Sequence, residues 1–353
     1  MSGRLAVCLG LASMMLSGCV SAEAESGVFV ALPEHAAPGW IGASVGSPVW
    51  SPTGDFVVWG GEDGLFLKAL SAREPTRLYE SAVVGKAAWS PNGMSLAFID
   101  RNRASLVVMD AASGIVQFNE PLSRNVGGSV RHAILTLGGP SWSPDGSHLA
   151  FVCWDGDGDE ICVIQTDGSN RRQVTHLEPS EVNVRSETAQ FVPAASNAGP
   201  PSWSPDGAFL AVAAYPERNG APRGVFVIDL QLGSARRVSS VVPNSAISWF
   251  PDGDSVLFSA TQEGRSDALR VAVKELGEER MTAQLPAGAR NPALASGGGR
   301  LAVESGGEIV VLDRQDIRLE IAVTGLYATE PAWNRDGTAI AFAAVDNPIT
   351  SYN

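Results

Sequence analysis

Four groups of residues carry side chains able to do chemistry: the string Gly42-Ala43-Ser44-Val45-Gly46, four histidines, an acidic run from Asp155 to Glu160, and four cysteines. The first matches the G-x-S-x-G pattern that presents a nucleophilic serine on a sharp strand-to-helix turn, with an acid and a histidine later in the chain. Here Pro48 and Trp50 follow directly, so no helix is expected and Ser44 is not read as a nucleophile. His35, His132, His148 and His176 stand at no metal-ligand spacing, and a zinc site is not expected. Asp155, Asp157, Asp159 and Glu160 concentrate carboxylates suited to calcium. A complete calcium loop continues with glycine at its sixth position and glutamate at its twelfth, where this chain has Glu160 and Thr166. The simpler reading is an acidic, solvated hairpin tip. No catalytic residue, metal or cofactor is expected.

The first residues address the chain rather than build it. Arg4, an apolar run from Leu5 to Leu16, and the small residues Ser17 and Gly18 have the outline of a secretory signal peptide. The run is shorter than the roughly 20 residues a membrane-spanning helix needs. Leu16-Ser17-Gly18-Cys19 resembles a bacterial lipobox, which implies removal of residues 1–18, a lipid on Cys19 and a short tether over 19–26. A plain leader with a chance cysteine is the alternative. Several acyl chains on Cys19 hold stably where one holds marginally. Val20 implies, by the same resemblance, sorting to the outer membrane in a host with two membranes. The formal charge is −13, and the only lysines are Lys68, Lys86 and Lys274. Such a chain repels phosphate backbones, so nucleic acid is not an expected partner. Beyond its anchor the protein is expected to be soluble and monomeric.

An internal repeat organises residues 27–353. Trp50-Ser51-Pro52-Thr53-Gly54 recurs at Trp89, Trp142 and Trp203, with weaker copies at Trp249 and Trp333 and a degenerate one at Leu294. Ser-Pro-Asp/Asn-Gly suits a type I turn, since proline presets the second position and glycine accepts the backbone geometry at the end. Each turn is followed by alternating apolar residues, such as Leu149-Ala150-Phe151-Val152, then by a third run such as Val225-Phe226-Val227. Short segments such as Gln173-Val174 and Arg237-Val238 supply a fourth. Four strands at this period describe an all-β propeller blade.

The last anchor, Trp333, has room for only about two strands after it, whereas Val28-Phe29-Val30 and Trp40-Ile41-Gly42 precede the first. The N-terminal segment therefore fits as the outer half of the final blade, which closes a ring of seven with strands from both termini. Six blades is the alternative, because the Leu294 copy lacks the turn residues.

The anchors and the phrase Asp157-Gly-Asp-Glu-Ile-Cys-Val163 resemble the bacterial TolB-type propeller repeat, related to the tricorn propellers. The resemblance implies a cell-envelope module that binds another envelope protein or a peptidoglycan-associated ligand. Repeats begin soon after Cys19, so the likeness does not extend to the separate N-terminal α/β domain of TolB. The competing class is a propeller enzyme, of lyase or glycosidase type, with its active site among the long loops.

Two further expectations concern particular residues. Cys153 and Cys162 lie equally far from the Asp157-Gly158 step, and a tight hairpin turn there sets them opposite each other, within disulfide reach. An exported chain meets an oxidising compartment, so a bridge is expected, with two buried free thiols as the alternative. The long connections from Ser123 to Gly139 and from His176 to Pro201, with the loop from Tyr215 to Arg223, all fall on the rim opposite the Pro-Asp-Gly turns. Arginine and aromatic side chains on long loops favour binding. The candidates are Arg131, His132, Arg185, Phe191, Tyr215, Arg218 and Arg223. Loops that merely cover the rim, or that are disordered, are the alternative.

Overall fold

The computed structural model describes residues 28–32, 47–72, 75–123, 138–154, 159–175, 201–214, 224–262, 265–273, 279–285, 289–313, 318–321 and 326–346. Its chain is a single all-β propeller, with no helix among the described residues. β1 spans Val28–Leu32. Six four-stranded antiparallel sheets follow in sequence order. The first is β2–β5 (Val49–Trp50, Phe56–Gly61, Gly64–Ala69, Thr76–Tyr79) and the second β6–β9 (Val83–Trp89, Ser95–Asp100, Ser105–Asp110, Val116–Pro121). The third is β10–β13 (Ser141–Trp142, His148–Trp154, Asp159–Gln165, Arg172–Gln173) and the fourth β14–β17 (Ser202–Trp203, Phe209–Ala214, Gly224–Asp229, Ser234–Ser239). The fifth is β18–β21 (Ser248–Trp249, Ser255–Gln262, Arg265–Ala272, Glu279–Gln284) and the sixth β22–β25 (Arg290–Leu294, Arg300–Ser305, Glu308–Asp313, Arg318–Ile321). The Leu294 copy thus builds a complete blade despite its missing turn residues: Gly298 takes the positive φ and its amide closes the turn on the Ala295 carbonyl.

The remaining sheet has three strands, β26 (Leu326–Trp333), β27 (Ala339–Asp346) and β1, in the order β1-β27-β26. β1 runs parallel to β27, with Val28 opposite Ala339 and Leu32 opposite Ala343. The described residues therefore contain six full blades and a three-stranded sheet to which the N-terminus contributes one strand. Trp40-Ile41-Gly42, expected as its fourth strand, lies outside the described residues.

The repeat's turn residues act as anticipated. In the second, third and fourth copies the serine Oγ donates to the Asn or Asp side chain two residues on, and accepts from the backbone amide five residues on. The glycine amide closes the turn on the serine carbonyl at 2.8–2.9 Å. The Ser143 hydroxyl, followed by the amide and hydroxyl of Ser147, holds the Asp145 pKa down to about 2.

Each tryptophan then ties its sheet to the one before. The indole N–H of Trp89, Trp142, Trp203 and Trp249 donates to the carbonyls of Val49, Ala88, Ser141 and Ser202, in each case the residue just ahead of the previous anchor. Trp333 donates to Ala293 and Trp50 to Ala332, so the first blade bonds the three-stranded sheet by the same device. The Leu294 side chain has no N–H and cannot make the equivalent bond.

Between sheets the core is aromatic. Trp59, Phe98, Phe151, Phe258 and Phe342 occupy the ninth position after their anchors and are almost wholly buried. The fourth blade has Val212 there, and its cross-strand partner Phe226 supplies the volume instead. Interiors pack at crystal-like density, and in this blade the volume moves to the opposite strand; the sixth blade instead has Val303 facing Val310, both buried.

The disulfide between Cys153 and Cys162 is present, with Cα atoms 5.8 Å apart. The expected register is not. Cys153 faces Glu160, and Cys162 faces Phe151, because the last pair of the ladder is Trp154 with Asp159, a register centred one residue earlier than a turn at Asp157-Gly158 requires. The thiols are diagonal neighbours on one face, and strand twist brings one such diagonal within bridging distance.

Candidate functional site

The inner strands all enter at the rim opposite the Pro-Asp-Gly turns, and the residue three places before each anchor stands at the mouth of the central channel. The described ones are Ser47, Lys86, Gly139, Ala246, Asn291 and Glu330; Pro200, at the same spacing, lies outside the described residues. In the second and sixth blades and in the three-stranded sheet the ladder is interrupted here, between Val84 and Ala88, Arg290 and Ala293, and Thr329 and Ala332. Asn291 and Glu330 take φ values of 48° and 54°, a left-handed conformation that costs a non-glycine residue about 1–2 kcal/mol. Bulges of this kind re-aim side chains.

Glu330 is the hub of the mouth. It accepts from Ser47 Oγ at 2.8 Å and from Asn291 Nδ2 at 2.9 Å, and Lys86 Nζ lies 3.9 Å from its Oε2. The same Asn291 amide donates to Glu304 Oε2 at 3.1 Å. Glu304, at the rim end of β23, is buried, and desolvation raises its pKa; the Asn291 bond opposes the rise and the charge of Glu330 adds to it. Three sheets and four sequence-distant segments thus converge on two carboxylates, one ammonium, one amide and one hydroxyl. On the side of Lys86 away from Glu330, Gly139 of the third blade approaches so closely that a Cβ there would lie 1.7 Å from the Lys86 carbonyl oxygen, and any larger residue would push the blades apart.

A second polar network braces the rim of the second blade. Asp100, fully buried at the end of β7, accepts from Tyr79 Oη, Ser81 Oγ, Arg103 Nη1 and the amides of Asn102 and Arg103. Burial alone would raise its pKa, but bonds from Tyr79, Arg103 and Ser81 outweigh it and hold the carboxyl below its usual range. Burial and the Asp100 carboxylate push Tyr79 up to about 12.

Glu160, counted at first with the acidic hairpin tip, is instead in β12 and buried; it accepts from Thr175 Oγ1, which in turn accepts from the Ile161 amide. Asp155 and Asp157 lie outside the described residues, as do Ser44, Cys19, and Arg131, His132, Arg185, Phe191, Tyr215, Arg218 and Arg223. His148 opens β11 with Nδ1 2.6 Å from Ser147 Oγ.

The mouth cluster is absent from the sequence reading, although the repeat carried a signal for it. Ten places after each anchor the chain has Gly60, Ile99, Val152, Ala213, Ser259 and Ala343, against which Glu304 is the odd residue. Lys86 and Glu330 are the charged members of the other set.

Stacked four-stranded sheets tied blade to blade at their inner strands define a β-propeller with a polar channel mouth on its long-loop rim. A family model described as the TolB beta propeller domain matches residues 139–348, and the chain belongs to that family. No curated protein sequence matches the chain. Among solved structures it is similar to TolB from Acinetobacter baumannii, with 14% identity and a TM-score of 0.52 over 87% of this chain and 68% of that one. It is also similar to an oligogalacturonate lyase from Vibrio parahaemolyticus (10% identity, TM-score 0.60, 87% and 90%) and to Kuenenia stuttgartiensis hydrazine synthase (13% identity, TM-score 0.57, 90% and 100%). These likenesses establish the fold, which hosts binding proteins and enzymes alike.

Proposed function

We propose that the chain is a cell-envelope binding module, exported by residues 1–18, lipid-anchored at Cys19 and carrying its propeller over residues 27–353. Its long-loop rim and channel mouth receive another envelope protein or a peptidoglycan-associated ligand. The observation that carries this reading is the mouth itself: Ser47, Lys86, Asn291, Glu304 and Glu330 converge where the inner strands enter, on the rim from which the long connections depart. A few polar groups converging at one place on a rigid frame are the usual polar element of a ligand site. Arg131, His132, Arg185, Phe191, Tyr215, Arg218 and Arg223 would extend it along the loops. A seventh blade completed by residues ahead of Ser47 belongs to the same reading, as does a monomeric state.

Affinity capture from solubilised envelopes tests the proposal, with the wild-type chain compared with Glu330→Gln, Lys86→Gln and a chain lacking residues 177–199. A reproducible partner lost in these variants supports it. Recovery of no partner, together with turnover of a glycan, peptide or ester that a single carboxylate substitution abolishes, would replace binding with catalysis.

A further inference from the structure

The direction of β1 determines from which side the chain's N-terminus arrives. β27 starts at Ala339, just after the Asp336-Gly337-Thr338 turn, and rises to the rim; β1 runs alongside it in the same direction with Val28 opposite Ala339. The polypeptide therefore enters the propeller on the face of the Pro-Asp-Gly turns. Cys19 is nine residues ahead of Val28, a reach of at most about 30 Å when fully extended. The eight residues of β27 make the blade about 27 Å high. A lipid at Cys19 thus holds the turn face close to the bilayer. Presenting the rim to the membrane would consume nearly the whole tether in climbing the outside of the sheet.

The large exposed apolar side chains among the described residues lie on the same face. Among the described residues the exposed large hydrophobics are Met94, Ile115, Val116 and Leu232, at 66%, 66%, 40% and 76% exposure. Met94 lies in the turn between β6 and β7, Ile115 and Val116 where β8 passes to β9, and Leu232 where β16 passes to β17; all of these connections are on the turn face. Met94 and Ile115 flank one corner, for their carbonyls accept from the adjacent amides of Ala111 and Asp110. Single exposed apolar residues are ordinary on soluble proteins; these four, among the described residues, share the face on which the chain enters.

We propose that this turn face is the membrane-facing side: it rests on the bilayer that holds Cys19, with Met94, Ile115 and Leu232 touching the headgroup region, and the channel mouth faces away toward the partner. The inference rests on the anchor reading above. Its occupant is the lipid surface itself, because the tether ends there and the apolar residues share that side.

The test uses full-length protein extracted from host membranes and reconstituted in phosphatidylcholine vesicles containing a headgroup-nitroxide lipid. A fluorophore is attached through Leu232→Cys on the turn face or Asp63→Cys on the rim. Quenching at position 232 should exceed that at 63 severalfold, and Met94→Ser with Ile115→Ser should reduce the excess. Equal quenching, or the reverse order, on protein whose N-terminal peptide carries acyl chains by mass spectrometry overturns the orientation and leaves the anchor standing. An unacylated Cys19 overturns both. An undiminished excess in the double serine variant overturns lipid contact by these side chains.

Discussion

Trp203→Phe isolates the bond that joins one blade to the next. The indole N–H of Trp203 donates at 3.0 Å to the Ser141 carbonyl, and phenylalanine keeps an aromatic ring at the same place while removing that donor. A hydrogen bond of this kind contributes about 0.5–1.5 kcal/mol net, and an acceptor left without its partner costs about 1–3 kcal/mol when buried. Ser141 and Trp203 are half-buried, so water reaches the orphaned carbonyl in part and the lower half of that range applies. The smaller ring also gives up packing against the core shared by the second, third and fourth blades. A loss of about 2 kcal/mol follows, seen in urea unfolding as a lower midpoint at unchanged slope. A change below about 0.5 kcal/mol would refute the tryptophan chain as a stabilising device and reduce Trp203 to a filler of space.

The converse substitution, Leu294→Trp, offers the missing donor to the fifth blade and should raise stability by about 0.5–1.5 kcal/mol, read from the same urea midpoint. Asp100 has a depressed pKa in the folded state, so its contribution is present above the ordinary carboxylate range and is lost as pH falls through the folded value; Asp100→Asn should flatten the acid limb of the stability curve below about pH 4. Tyr79 is raised, so folded stability should decline between about pH 10 and pH 12, and Tyr79→Phe should remove that decline. Replacing Cys153 and Cys162 with serine opens a loop whose ends are nine residues apart and should cost about 2.5 kcal/mol on the chain-entropy model, measured against the oxidised wild type in denaturant.

The blade pattern was legible because its causes are local. A Ser-Pro-Asp-Gly turn bonds residues within five positions of one another, and alternation of apolar side chains needs only the strand it lies on, so the strand after each anchor, and even the weak Leu294 copy, could be read along the chain. The cysteine pair was legible as a pair. Its register was not, because register depends on where the two strands stop pairing, and the ladder ends at Trp154 with Asp159 where a tight turn at Asp157-Gly158 would carry it further. The exchange of volume between Val212 and Phe226 likewise needs both strands in hand.

The mouth belongs wholly to tertiary structure. Ser47 and Glu330 are 283 positions apart and hydrogen-bonded, and Lys86 faces Glu330 from another sheet. In sequence each is a single residue three places ahead of an anchor. What the sequence by itself determined was the unit, since turns and strands obey short-range sterics and hydrogen bonding. What only the assembled propeller decided was which residues share the axis and how their charges alter one another, because those energies depend on distances in space that separation along the chain does not predict.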